Sequence, residues 1–266
     1  MRKVFDCVCF NGEFDLLEIR LNELDGVVDH FVIVEANRNF SGTGKPFYFP
    51  MEETRFSRWK DRITYVAVED MPDGDDRWVR ERFQFNAIMR GLVTAENDDW
   101  IIMGGVDEIP RASTLVKFFQ DNESNYPNPI TLEQGFYWYY FNCEAICHEN
   151  PWKGSVIVDR AMLISTKPID VINGRLSNWE VLPNGGWHFT YMGGAAKIRY
   201  KLGAAAHGEF DTPEYTDINK IRAHLDNGTD ILGRGYEYRF IPLDDTFPEY
   251  VVANQERFAH HIRSTT

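Results

Sequence analysis

The chain has 266 residues, 43% of them hydrophobic and 26% charged, the composition of a globular protein large enough to bury a full core. A formal net charge of −13 argues against a nucleic-acid binder and against adhesion to an anionic membrane, since both rest on clustered Lys and Arg. An anionic small-molecule substrate stays open, because the local field at a site matters more than the sum.

Residues 4–10, VFDCVCF, read as a first strand whose alternation puts Cys7 and Cys9 on one face. NGEFDLLEIRLNEL follows, with Leu17, Leu21 and Leu24 at helical spacing. Residues 29–36 and 62–68 are two further apolar strands, and residues 75–92 form a helix with Val79, Phe83 and Ala87 on one stripe and acidic residues at its start. The stretch Asp99–Arg111, DWIIMGGVDEIPR, is an apolar run that ends in two glycines, two carboxylates and a proline. It reads as a buried strand leaving the sheet, with Asp107 and Glu108 at its carboxyl edge, where open α/β sheets bind ligands. An ordinary acidic turn fits the local pattern equally well.

Residues 129–142 and 155–165 read as long, aromatic-rich, antiparallel strands. Two helices follow near 194–203 and 216–227, the second with Thr216 as N-cap and Ile218, Ile221 and Leu225 on one face. The expected class is α/β: a mainly parallel sheet over residues 1–112, an antiparallel half over 113–266, and one continuous domain. The four cysteines read as free thiols, with a Cys143–Cys147 disulfide as the exception. No apolar run reaches the ~20 residues that span a bilayer, and no signal peptide is visible.

Three groups of residues invite chemistry. Mg²⁺ or Mn²⁺ takes oxygen ligands, and adjacent residues of an extended chain face opposite ways. Asp107 is therefore the favoured ligand, and Glu108 is expected to bond to backbone or to a basic neighbour. On the helix of residues 75–92, Arg80, Arg82 and Gln84 can grip a phosphate or read a base, or form a solvated face. In GGWHFTYMGGAAKIRYK, Gly193 and Gly194 open a helix whose free N–H groups suit a phosphate, and Lys197, Arg199 and Lys201 reverse the local charge. His188 is either a core residue or a ligand. His207, Glu209 and Arg234 add polar groups on turns. GxSxG, GxxxxGKS and GxGxxG are absent, which removes hydrolase, NTPase and dehydrogenase templates.

The segments FDCVCFNGEFDLLEIRLNEL, VDHFVIVEANRNFSG, RERFQFNA, DWIIMGGVDEIP, GGWHFTYMGG, HGEFDTPEY and FPEYVVANQERF, in this order, resemble glycosyltransferase family 17, the β-1,4-mannosyl-glycoprotein 4-β-N-acetylglucosaminyltransferase family. The resemblance implies a GT-A-like, Rossmann-type sheet with an appended antiparallel acceptor half. It further implies a UDP-sugar donor, Mn²⁺ or Mg²⁺, and inversion at the anomeric carbon. By position, Asp107 becomes the metal ligand with His188 as a second. Glu35 would lie by the uridine, and Arg80, Arg82 and Gln84 would face the nucleotide-sugar. The departure is Gly105, where the family pattern has an acidic residue.

The reading that follows is an inverting hexosyltransferase moving N-acetylglucosamine from a UDP donor to a glycan hydroxyl. Gly193, Gly194, Lys201 and Arg234 would serve the diphosphate. Glu209, then Glu144 and Asp159, are the candidate bases, and Tyr137, Trp138 and Trp152 the acceptor platform. A weakly active glycan- or nucleotide-binding relative and a metal-dependent nucleotide-sugar hydrolase are the alternatives. The chain is expected to be cytoplasmic, of bacterial or viral origin, or the soluble catalytic part of a longer protein.

Overall fold

The computed structural model describes residues 2–122, 129–177 and 179–264. Its strands are β1 (Val4–Cys9), β2 (His30–Ala36), β3 (Ile63–Val68), β4 (Trp100–Gly105), β5 (Glu108–Pro110), β6 (Ile130–Trp138), β7 (Cys143–Ile146), β8 (Trp152–Asp159), β9 (Glu180–Thr190) and β10 (Glu237–Phe240). The helices are α1 (Phe14–Leu24), α2 (Arg77–Asn86), α3 (Ala112–Asp121), α4 (Met162–Ser165), α5 (Pro168–Gly174), α6 (Gly194–Ala204), α7 (Pro213–Thr216), α8 (Ile218–Asn227) and α9 (Glu249–Ala253).

The strands form one mixed sheet in the order β10-β7-β6-β8-β4-β1-β2-β3, with β9 pairing β5 and β6. β3, β2, β1 and β4 are parallel neighbours, the α/β arrangement expected for the first half. Their alternation sends side chains to both faces. Val4, Val8, Phe31, Ile33, Trp100 and Ile102 pack on the face that α1 covers. Phe5, Cys7, Val32, Val34, Ile101 and Met103 pack on the other, against Ala87, Ile88 and Leu92. Burial on both faces explains why these strands are nearly continuous apolar runs. Each such side chain contributes roughly 1.5–3 kcal/mol.

The second half joins without a break, because β8 runs antiparallel to β4 and β6 antiparallel to β8. Three expectations need correcting. β6 is antiparallel to β7 and β8 but parallel to β9, so the second half is mixed. The run 155–165 is not one strand: β8 ends at Asp159, whose carboxylate accepts from Met162 N, the first residue of α4, at 2.8 Å. Asp217, not Thr216, caps α8, accepting from Asn219 N and Lys220 N, while Thr216 closes α7. The helix expected over 75–92 is α2, capped by Asp76, followed by a 3₁₀ segment over Ala87–Gly91. All four cysteines are free. Among the described residues no helix is long and apolar enough to cross a membrane.

Candidate active-site cleft

A cleft of about 580 Å³ opens where β1 and β4 end, within the range of small-molecule sites. Asn11, Gly12 and Glu13 after β1 form one wall and Gly105, Val106 and Asp107 after β4 another. The ends of parallel strands leave backbone groups and loops free for a ligand, which is why open sheets bind there.

The turn after β4 is held from beneath. Arg20 on α1 is fully buried and binds Asp6 of β1 through two bonds of 2.7 Å. Its remaining nitrogen donates to Gly105 O at 3.0 Å and Glu108 O at 2.5 Å. Asp107 and Glu108 then face opposite ways. Glu108 accepts from Gly105 N at 3.0 Å, Trp152 Nε1 at 2.9 Å and Arg175 Nη1 at 2.9 Å. Asp107 faces the cleft, and its carbonyl accepts Phe189 N at 2.8 Å, which brings β9 alongside.

Opposite stands α6. Gly193, Lys197, Tyr200, Lys201 and Ala204 line the cleft at helical spacing, while Ile198 and Leu202 on the other face enter the core. Gly193 takes φ 89°, the left-handed region that favours glycine, and the chain turns there into the helix. Lys201 Nζ donates to Asp107 Oδ2 at 2.7 Å and to Thr190 Oγ1 at 3.1 Å. Burial alone would raise the Asp107 carboxyl, but Lys201 and then His188 hold it well below the ordinary carboxylate range. In the same way Asp107 holds the Lys201 ammonium up against the penalty of burial. Tyr191, the residue after Thr190, has φ 54°, and its ring stacks on Trp138 at 4.6 Å. A non-glycine residue in that region is strained, as residues at ligand sites often are.

The remaining sequence-predicted residues divide. Gln84 lines the cleft and donates to Val34 O at 3.1 Å. The expectation for Glu35 is corrected: it is fully buried and accepts from Lys45 Nζ, Tyr48 N, Phe49 N and Tyr65 Oη, so it anchors the chain after β2 instead of facing a base. Arg80 is also buried, holding Phe40 O and Gly74 O, and Arg82 is exposed with Asp76 at 3.7 Å. Neither lines the cleft. Arg234 lies over the Trp138 and Tyr236 rings, 3.7 Å from Glu149. His188 is stacked against Phe136 at 5.0 Å, with Nε2 3.7 Å from Asp107 Oδ2 and Nδ1 buried and unpartnered.

Two of the candidate bases lie away from the cleft. Asp159 accepts from Met162 N, the first residue of α4, and is paired in register with Trp100, at the opposite end of β4. Glu144 is paired with Arg239 at 2.5 Å on the β7–β10 edge. Glu209 is exposed beside the rim, bonded to His207 Nδ1 at 2.7 Å. Of the expected acceptor platform, Tyr137 and Trp138 are buried, Tyr137 packing on Phe189 and Phe247 and Trp138 backing Tyr191, while Trp152 is half-buried and covers His188.

Several cleft residues escaped the sequence reading. Glu13 accepts Asn11 N at 2.8 Å, and burial pushes its carboxyl up against the opposing pull of Lys201. Glu81 is likewise raised, chiefly by burial. At the far end Asp15 Oδ2 meets His261 Nε2 at 3.0 Å and His260 Nε2 at 3.1 Å, while Arg55 holds its other oxygen at 2.5 Å. These three acid and imidazole groups keep their ligand atoms within 4.8 Å of one another, but the carboxylate is already shared by three donors. The motif NGEFD directly after β1 was the available signal, since the strand-end rule applies to β1 as much as to β4.

A match to the model for glycosyltransferase family 17 covers residues 1–260. The chain belongs to that family. It is 26% identical over 305 aligned residues to the human β-1,4-mannosyl-glycoprotein 4-β-N-acetylglucosaminyltransferase, covering 97% of this chain and 54% of that protein. The Rattus norvegicus enzyme of the same name is 25% identical with the same coverage. The chain thus spans about half the length of the curated relatives it matches. A mannosyltransferase from Pyrobaculum calidifontis, solved with GDP-Man and Mn²⁺, superposes with a TM-score of 0.45 at 12% identity, covering 85% of this chain and 70% of that one.

The family resemblance implies a divalent metal at Asp107, and the donor set around that carboxylate does not fit one. Glu108 faces away and is satisfied, position 105 has no side chain, and His188 does not line the cleft. Asp107 Oδ2 already accepts from the Lys201 ammonium at 2.7 Å, so a cation occupies the place beside that carboxylate that a divalent ion would take.

Proposed function

We propose that the cleft binds a UDP-sugar and that the protein transfers the sugar, N-acetylglucosamine, with inversion to a glycan hydroxyl. The observation that carries this reading is a strand-end cleft lined by Gly193 before α6 and by Lys197 and Lys201 on it, with Lys201 bonded to Asp107 of the turn after β4, in a chain of glycosyltransferase family 17. The choice of sugar and acceptor follows the names of the relatives. In this reading Lys197 and Lys201, the cations of α6 that line the cleft, serve the diphosphate.

Transfer is a single displacement. The acceptor oxygen bonds to the anomeric carbon as the bond from that carbon to the diphosphate oxygen breaks, and the electron pair stays on the diphosphate. The acceptor proton passes to a cleft carboxylate, for which Glu13 and Glu81 are the groups whose raised proton affinity suits a base. Fixed donors and cations aimed at the charge that develops on the leaving group lower the barrier strongly, because they need no reorganisation as the bond breaks.

Calorimetric titration with UDP, UDP-N-acetylglucosamine, GDP and ADP tests the donor. Tighter binding of the two uridine ligands is expected, and equal or absent binding of all four overturns the reading.

A further inference from the structure

We infer that this site handles its nucleoside-diphosphate donor without a divalent cation, Lys201 taking the charge that a metal would otherwise take, and that Gly105 is what makes this possible. The inference rests on the transferase reading above.

The geometry at position 105 carries it. A Cβ built on Gly105 would lie 2.6 Å from Asp107 Oδ1, closer than a real contact. The clashing atom is the tip of a rotatable side chain, so a larger residue would not unfold the turn. It would instead turn Asp107 away from its present partner. Glycine thus does two things at once: it withholds a second carboxylate, and it leaves room for the Asp107 rotamer that reaches Lys201 at 2.7 Å.

Lys201 is fixed in turn. Asp107 and Thr190 accept two of its three N–H groups, which leaves one donor for a ligand, and 35% of the side chain is accessible from the cleft. The Tyr191 ring lies 5.2 Å from Nζ and helps fix its position. A lysine held this way is a preorganised point charge. As the bond between the anomeric carbon and the diphosphate oxygen breaks, the negative charge grows beside a cation that is already in place and keeps its proton throughout.

The test uses the intact chain. UDP is titrated by calorimetry in EDTA and again in excess Mn²⁺, and Mn²⁺ alone is titrated in a separate run. The wild type is expected to bind UDP within about twofold in the two conditions and to bind Mn²⁺ alone negligibly. Lys201→Met should lose at least about tenfold in both conditions, and Lys201→Arg, which keeps the charge, should recover part of that loss. Gly105→Asp should acquire Mn²⁺ binding and make UDP binding Mn²⁺-dependent. UDP binding by the wild type only when Mn²⁺ is present overturns the inference and leaves the transferase reading standing. Absence of UDP binding in every condition overturns the transferase reading and the inference with it.

Discussion

Arg20 and Asp6, both fully buried, form a two-pronged ion pair between α1 and β1, and the same guanidinium holds the two carbonyl ends of the 105–108 turn. The position of Asp107 in the cleft therefore depends on a charge pair beneath the sheet edge. Removing one partner of a buried pair strands the other charge, at a cost of about 3–5 kcal/mol. Arg20→Met should lower the free energy of unfolding by that amount in urea denaturation. Asp6→Leu combined with Arg20→Met should be less destabilised than Arg20→Met alone.

Glu35 separates a structural role from a binding one. Its four donors include Lys45, itself buried. Glu35→Ala should cost about 3–5 kcal/mol in stability. Nucleotide affinity, measured by calorimetry at a temperature where the variant is folded, should change less than about threefold. A selective loss of UDP binding at full stability would return Glu35 to the binding site.

The Asp107–Lys201 pair sets a pH dependence. Because the folded state holds the Asp107 carboxyl below its ordinary value of 3.8, its contribution is fully present above that value and is lost as the pH falls through the folded pKa. Asp107→Asn lacks this contribution. The stability gap between wild type and Asp107→Asn, from urea unfolding, should be wide at pH 7 and should narrow below about pH 4.

Glu13 and Glu81 carry the opposite sign. Burial raises both carboxyls in the folded state, so holding them ionised at neutral pH works against folding. Glu13→Gln and Glu81→Gln should each raise the melting temperature slightly. The one that serves as base should lower kcat by about 10²–10⁴ and remove the acid limb of the pH–rate profile. If both variants keep wild-type kcat, neither carboxylate is the base.

What could be read in the chain follows the range of the interactions involved. The parallel strands were visible because each must be apolar on both faces. The positive charge of α6 was visible in Lys197, Arg199 and Lys201, but which of the three line the cleft, Lys197 and Lys201, depends on how the helix packs. The cluster of Asp15 with His261 joins residues 246 apart, and no local pattern announces it. The burial of Glu35 and Arg80 was equally hidden, since a charged side chain at a strand end or on a helix looks the same whether it meets solvent or backbone donors and carbonyls. The aromatic run 136–141 suggested a sugar platform, but rings on both sides of β6 find partners on β9, β10 and the C-terminal segment.

The central claim is sugar transfer from a nucleotide donor in this cleft. Its most direct test is NMR analysis of the products formed when the protein is incubated with UDP-N-acetylglucosamine and a mannose-containing glycan. A β-linked N-acetylglucosamine on the glycan, with an equal amount of UDP, is the expected result. Free N-acetylglucosamine released at the same rate without the glycan, or no turnover at all, would contradict it.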